Sequence, residues 1–255
     1  MSPLTSVVVP CFNEAARLDF EQLAELFVDR SVRLILVNDG SSDATGALID
    51  EFASKQAGRC KALHLASNCG KAEAVRVGLL EAIADESEYV GYLDADLAAP
   101  PSEMLRLLKH LDASGATAAL GSRVRLLGSN IQRSTGRHYL GRIFATVASS
   151  ALRLPIYDTQ CGAKLFRVSG QLRCALGRSF RSRWAFDVEL LARLLEQGRN
   201  AAPPLRIVEV PLATWSDRSG SKLGATAMLR AGIDLGVLWA RGRFLGRSRK
   251  PNVPV

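Results

Sequence analysis

Strand-like and helix-like stretches alternate along the first half of this 255-residue chain, and that alternation constrains the fold more than any other feature. TSVVVP (5–10), VRLILVND (32–39), CKALHLAS (60–67), YVGYLD (89–94) and TAALGSR (117–123) are short runs dominated by apolar residues. Between them the spacing predicts helices over roughly 18–30, 41–56, 70–85 and 101–114. The first carries Phe20, Leu23, Leu26 and Phe27 at helical intervals. Ser41 or Ser42 is expected to cap the second. Strands separated by helices of this length pair in parallel through right-handed crossovers. Uniformly apolar strands suit a sheet covered on both faces. The expected class is therefore α/β: an open, mostly parallel sheet with helices on both faces.

In such sheets ligands bind beyond the carboxyl ends of the strands. The conspicuous polar residues fall there. Pro10, Asn13 and Glu14 follow the first strand, and Asn38, Asp39, Gly40, Ser41, Ser42 and Asp43 the second. Asn68, Gly70 and Lys71 follow the third, and Asp94 and Asp96 the fourth. Each has a plain alternative as a turn, cap or surface residue. Four consecutive strands delivering polar groups to one edge favour a ligand site.

Asp94 and Asp96 end an apolar strand with one alanine between them. Like charges at that spacing repel unless a cation lies between them. No GxxxxGK[ST] loop is present, and no GxGxxG follows the first strand. The chain thus reads as neither a P-loop nucleoside triphosphatase nor a standard dinucleotide fold. Hard carboxylates bind Mg²⁺ or Mn²⁺, leaving positions open for phosphate oxygens. Such an ion neutralises a departing diphosphate. The alternative is a helix-capping turn.

Charge is uneven. Residues 1–120 carry 10 Lys/Arg against 18 Asp/Glu, whereas residues 121–183 carry 12 against a single acid, Asp158. The overall net charge is +8. A basic second half implies a polyanionic partner or a solvated arginine-rich surface. Aromatics make up only 6% of the chain, which leaves few stacking platforms, so nucleic acid is not expected as a partner. The five cysteines are scattered without a CxxC, which speaks against disulfides and structural zinc and suits a reducing cytoplasm. Neither a signal peptide nor a transmembrane helix is expected.

VVVPCFNEA, VNDGSSDAT, NCGKAEAV and YLDADL resemble the nucleotide-sugar glycosyltransferases of family 2, which have the GT-A fold. GSR (121–123), QRSTGR (132–137), DTQCGAKLF (158–166), RWAFDVELL (183–191) and WSDRSGSK (215–222) are similar to the dolichyl-phosphate β-glucosyltransferases and to their relatives, the dolichol-phosphate mannose synthases. The resemblance spans about residues 4–225. It implies inverting, metal-dependent transfer of a hexose from UDP-glucose, or next from GDP-mannose, to a polyprenyl phosphate. It also implies a GT-A domain over 1–225, with a nucleotide-binding half (1–120) and an acceptor half (121–225). Pro10, Asn13, Glu14, Asp39, Gly70 and Lys71 would surround base and ribose. Asp94 and Asp96 would hold ribose and metal, with Asp96 the more direct ligand. Gln160 would lie beside the sugar and diphosphate. Arg123, Arg133 and Arg137 would face the acceptor phosphate, Asp187 would lie near the acceptor, and Arg218 and Lys222 would close over the diphosphate.

The acceptor chemistry can be weighed separately. A hydroxyl acceptor needs a general base. A phosphate monoester is largely dianionic at neutral pH and needs cations to position it, which arginine suits. The nearly acid-free 121–183 segment fits a phosphate. The runner-up is a sugar-hydroxyl acceptor with Asp187 or Glu189 as base. A non-catalytic module binding anionic lipid or nucleic acid is a second alternative. Residues 140–154 place Leu140, Ile143, Phe144, Val147 and Ala151 on one helical face. In the basic segment 226–255, Arg230, Arg241, Arg243 and Arg247 interleave with apolar residues. Both stretches suit an interfacial helix, so an anionic membrane surface is an expected partner and the inner face of the membrane the expected location.

Overall fold

A computed structural model describes residues 4–56, 58–132, 135–183, 185–198 and 204–216. The stretch 224–247, Arg133, Arg218, Lys222 and the side chain of Arg137 lie outside the described residues. The strands are β1 (Thr5–Cys11), β2 (Val32–Asn38), β3 (Cys60–His64), β4 (Tyr89–Leu93), β5 (Ala118–Ser122), β6 (Asn130–Gln132), β7 (Ala163–Arg167), β8 (Ile207–Pro211) and β9 (Thr214–Ser216). The helices are α1 (Phe20–Ala24), α2 (Thr45–Ser54), α3 (Lys71–Ala84), α4 (Pro101–Ser114), α5 (Thr135–Leu152), α6 (Gly170–Leu176) and α7 (Phe186–Gly198).

Seven strands form the main sheet in the order β3-β2-β1-β4-β7-β5-β8. Its pairings are parallel except at β7, which runs antiparallel to both β4 and β5. β6 and β9 pair separately, in parallel. The inner strands β1 and β4 are fully buried because both faces of the sheet are covered. Val7 and Val9 join the core under α1, α2 and α4, while Val8 joins the one under α3, α6 and α7. No helix among the described residues is long and apolar enough to cross a membrane.

Several local expectations shift for identifiable reasons. The helix expected over 18–30 is α1 plus a 3₁₀ turn, Glu25–Val28. Asp19 caps α1 by accepting from the Gln22 amide at 2.9 Å, so the chain enters the helix later. Neither Ser41 nor Ser42 caps α2, which begins at Thr45. Ser41 Oγ accepts from the Asn13 amide at 3.0 Å, and the Ser42 amide donates to Asn13 Oδ1 at 2.9 Å. These serines tie the loop after β2 to the loop after β1. On α5, Ala148 is buried with Val188 of α7, and Phe144 and Leu152 pack beside them. Val147 of the same helix is 43% exposed, so among the described side chains of the 140–154 face some pack inward and some do not; those of Leu140 and Ile143 lie outside the described residues.

α3 lies so close to β1 and β2 that a methyl group at Gly78 would collide with Val8 and reach 2.9 Å from Val37 Cγ2. Helix propensity alone would make Gly78→Ala stabilising by about 1 kcal/mol. Overpacking between helix and sheet costs about 1–3 kcal/mol and is expected to win. Gly78→Ala should therefore lower the urea midpoint; an unchanged or raised midpoint would show that the helix can lift off the sheet at little cost.

Candidate active site

The polar loops gather at the carboxyl edge of β1, β2, β3 and β4, and the reversed strand adds to them. β7 pairs with β4 so that Leu93 faces Ala163, and the Asp94 amide donates to Gly162 O at 3.0 Å. The loop 158–162, which leads into β7, thus lies against Asp94. A Cβ at Gly162 would occupy the Asp94 carboxyl itself. Only glycine permits that approach.

Asp94 is ion-paired with Lys71 Nζ at 2.6 Å, at the start of α3. Burial works against the charge of Asp94. Lys71, with Lys164 and Arg123 further off, overrides burial and holds the Asp94 carboxyl below the usual carboxylate range. Asp96 behaves oppositely: burial first, then the neighbouring Asp94 charge, pushes its carboxyl above the ordinary value. Asp96 Oδ1 also accepts from the Ala98 amide at 3.0 Å, and Leu97 sits at φ +50°. The Asp-Ala-Asp segment is thus both a turn and a pair of mutually repelling carboxylates with one cation, Lys71, already drawn to it.

Gly70 takes φ +94°. Asp39 holds this corner, accepting from the Cys69 amide at 2.7 Å and the Gly70 amide at 2.8 Å. Its carboxylate, expected beside base and ribose, is engaged in shaping the loop. Arg183 lies over the bare α-carbon: a Cβ at Gly70 would come within 2.7 Å of its Nε. Arg183 Nε donates to Cys69 O at 3.2 Å. Asn13 sits at φ +52°. The Glu14 amide donates to Thr45 Oγ1 at 2.9 Å, and its carboxylate pairs with Arg17 at 2.7 Å. Pro10 is buried within β1.

Two residues expected on the acceptor side sit in ion pairs. Arg123 does not present a free guanidinium. Its Nε and Nη2 grip Asp158 at 2.6 and 2.8 Å, and Trp215 lies 5.6 Å from its guanidinium carbon. Glu209 anchors the other side by accepting from the Tyr157 and Asp158 amides at 2.9 and 2.7 Å. The Gln160 amide donates to Asp158 Oδ1 at 3.1 Å. Burial opposes the charge of Asp158, and Arg123 outweighs it, holding the carboxyl down at about 2. Arg123 is a pillar joining β5, the 158–162 loop and β9.

Asp187 orients a lysine, the alternative to a base role. It is 5% exposed and accepts from Lys164 Nζ at 2.8 Å and from the Tyr92 hydroxyl. Glu189 accepts from the Arg181 and Ser182 amides at 2.9 and 3.2 Å and pairs with Arg193. Lys164 is the residue that sequence reasoning missed. It is fully buried in β7, with its ammonium also 2.5 Å from Cys161 O and 5.3 Å from the Tyr92 ring. The available signal was a lone lysine inside the apolar run AKLF.

Among the described residues no three His, Cys, Asp or Glu side chains gather into a metal cage. Asp94 and Asp96 supply hard oxygen donors, and their mutual repulsion suits a divalent cation completed by phosphate and water. The residues present fit such an ion.

An open sheet of this topology with a carboxylate pair at its edge suits the glycosyltransferase class. The chain belongs to it: the family model "Glycosyl transferase family 2" matches residues 6–170. A dolichyl-phosphate beta-glucosyltransferase from Drosophila melanogaster is 33% identical over 92% of this chain and 74% of that protein. A polyprenol monophosphomannose synthase from Mycolicibacterium smegmatis is 28% identical over 96% of this chain and 90% of its own. The solved glucosyl-3-phosphoglycerate synthase of Mycobacterium tuberculosis superposes with a TM-score of 0.65 at 17% identity, over 99% of this chain and 82% of that one. It supports the fold alone.

Two predictions follow from the buried charges. Asp187→Asn leaves the Lys164 ammonium without a counter-charge and should cost about 3–5 kcal/mol of stability. Adding Lys164→Met should recover part of it. A base role would instead show as lost activity at unchanged stability. For Asp158, a carboxyl depressed in the folded state stabilises above the unfolded pKa and loses that contribution as pH falls through about 4 toward about 2. The Tm gap between wild type and Asp158→Asn should be full at pH 7 and narrow below about pH 4; a gap independent of pH would contradict the pairing.

Proposed function

We propose that this chain transfers a hexose from a nucleotide sugar, UDP-glucose in preference to GDP-mannose, to a polyprenyl phosphate. The products are a polyprenyl-phosphate sugar and a nucleoside diphosphate. The observation that carries this is the Lys71–Asp94–Asp96 cluster at the carboxyl edge of the sheet. It concentrates opposed charges where a sugar diphosphate and its counter-ion belong. Glucose is favoured over mannose because the relatives named dolichyl-phosphate beta-glucosyltransferase run from 27% to 33% identity, most of them above the 28% of the mannose synthase.

Asp94 and Asp96 would hold Mg²⁺ or Mn²⁺, which when bound stabilises negative charge on the diphosphate. A neighbour from Pyrobaculum calidifontis, with a TM-score of 0.63, was solved with GDP-Man and Mn²⁺. Lys71 supplies a second cation beside the same carboxylates. Asn13, Glu14, Gly70 and Gln160 line or shape the donor side, with Asp39 and Arg183 holding the Gly70 corner. In an inverting transfer one acceptor phosphate oxygen bonds to the anomeric carbon as the bond to the diphosphate oxygen breaks. No proton need be removed from a dianionic phosphate. That Asp187 and Glu189 are both engaged elsewhere supports this acceptor over a sugar hydroxyl. With Arg123 paired to Asp158, the acceptor phosphate falls to Arg133 and Arg137. The assignments to the 1–120 and 121–225 halves, and of Arg218 and Lys222 to closure over the diphosphate, belong to the same proposal.

A ligand that binds only the folded state raises its stability. At about 100-fold over its Kd, UDP-glucose with Mn²⁺ should raise Tm by roughly 5–10 °C in a chain of this size. EDTA or Asp96→Ala should abolish the shift. GDP-mannose should give less. Absence of a shift with any sugar nucleotide, in folded protein, would overturn the reading.

A further inference from the structure

Between β5 and β6 the chain turns sharply at Leu126–Ser129. The Ser129 amide and hydroxyl donate to Leu126 O at 3.1 and 2.7 Å, and the Leu126 amide donates to Ser129 Oγ at 3.0 Å. Gly128 takes the left-handed position, φ +84°. Turn tips favour polar residues, which water solvates. This one carries Leu127, fully exposed at 106%, and Leu126, exposed at 51%.

The turn is braced at both ends. At its root Arg123 is gripped by Asp158. On its return the Asn130 amide donates to Ala213 O at 2.7 Å, and β6 pairs with β9. A turn held by its own side chain on a fixed base presents its leucines outward rather than folding them back.

We propose that the Leu126–Ser129 turn is a membrane finger, entering the headgroup region of an anionic bilayer and seating the site over its surface. This rests on the polyprenyl-phosphate reading above, for which it names the surface from which the acceptor is drawn. Three observations select a bilayer over a protein partner. The exposed apolar tip is two residues, far smaller than the area a specific protein interface buries. Arg125 stands exposed beside it, a charge complementary to anionic headgroups. The finger also springs from the carboxyl end of β5, the same edge of the sheet that carries Asp94 and Asp96. An apolar tip beside an exposed arginine is the pattern of interfacial membrane binding.

The test is co-sedimentation of the full chain with phosphatidylcholine vesicles, with and without about a third phosphatidylglycerol. Wild type should bind the anionic vesicles. Leu126→Ser/Leu127→Ser should bind them at least roughly ten-fold more weakly, since each leucine leaving water contributes about that factor. Arg125→Glu should weaken binding about five-fold or more, and only with the anionic lipid. Equal vesicle binding by wild type and the double leucine variant, or none by wild type, would overturn the finger. The UDP-glucose/Mn²⁺ thermal shift is measured on the same proteins. A shift retained in the leucine variant shows that its fold and donor site are intact. A shift absent from wild type would sink the transferase reading, and the vesicle comparison would still decide the finger.

Discussion

Everything at this site depends on one close approach, the Asp94 carboxyl against the bare α-carbon of Gly162. It exists because β7 enters the sheet against the direction of its neighbours. A parallel strand in that slot would deliver its carboxyl end to the edge. The reversed strand delivers its amino end, with the 158–162 loop. Asp158, Gln160 and Cys161 thereby join a carboxylate more than sixty residues earlier in the chain.

That insertion also carries Lys164 under the site. A fully buried ammonium is costly unless paired. It is paired with Asp187 of α7, which in turn accepts from Tyr92 of β4. The couple ties the strand that leads into Asp94 to the helix that follows Arg183, whose guanidinium lies on Gly70. The Gly70 loop, the carboxylate pair and α7 share one electrostatic framework. Lys71 lies between them, paired with Asp94 and 5.7 Å from the Phe186 ring.

Pairing also sets the charge that Arg123 presents. Arg123 has nearly every feature of a phosphate ligand: it follows a strand, lies at the right edge and sits in the basic half. Asp158 neutralises it, and the pair becomes a strut beneath the 124–129 turn. The acid count of one in the 121–183 segment hid this, because that single acid is the one Arg123 meets.

Local pattern determined what local physics can determine. The apolar strands, the crossover helices and the edge to which polar loops are delivered follow from hydrophobic periodicity. α4 runs from Pro101 to Ser114 as its spacing predicts. The carboxylate pair and its need for a cation were legible from two aspartates at the end of an apolar strand. The tertiary structure decided the direction of β7, the pairing of β6 with β9, and which charges are available. Strand direction and ion pairing depend on through-space distance between residues far apart in sequence. Lys164 beside Asp187, Arg123 beside Asp158 and Asp94 beside Gly162 become neighbours only when the sheet closes around the reversed strand.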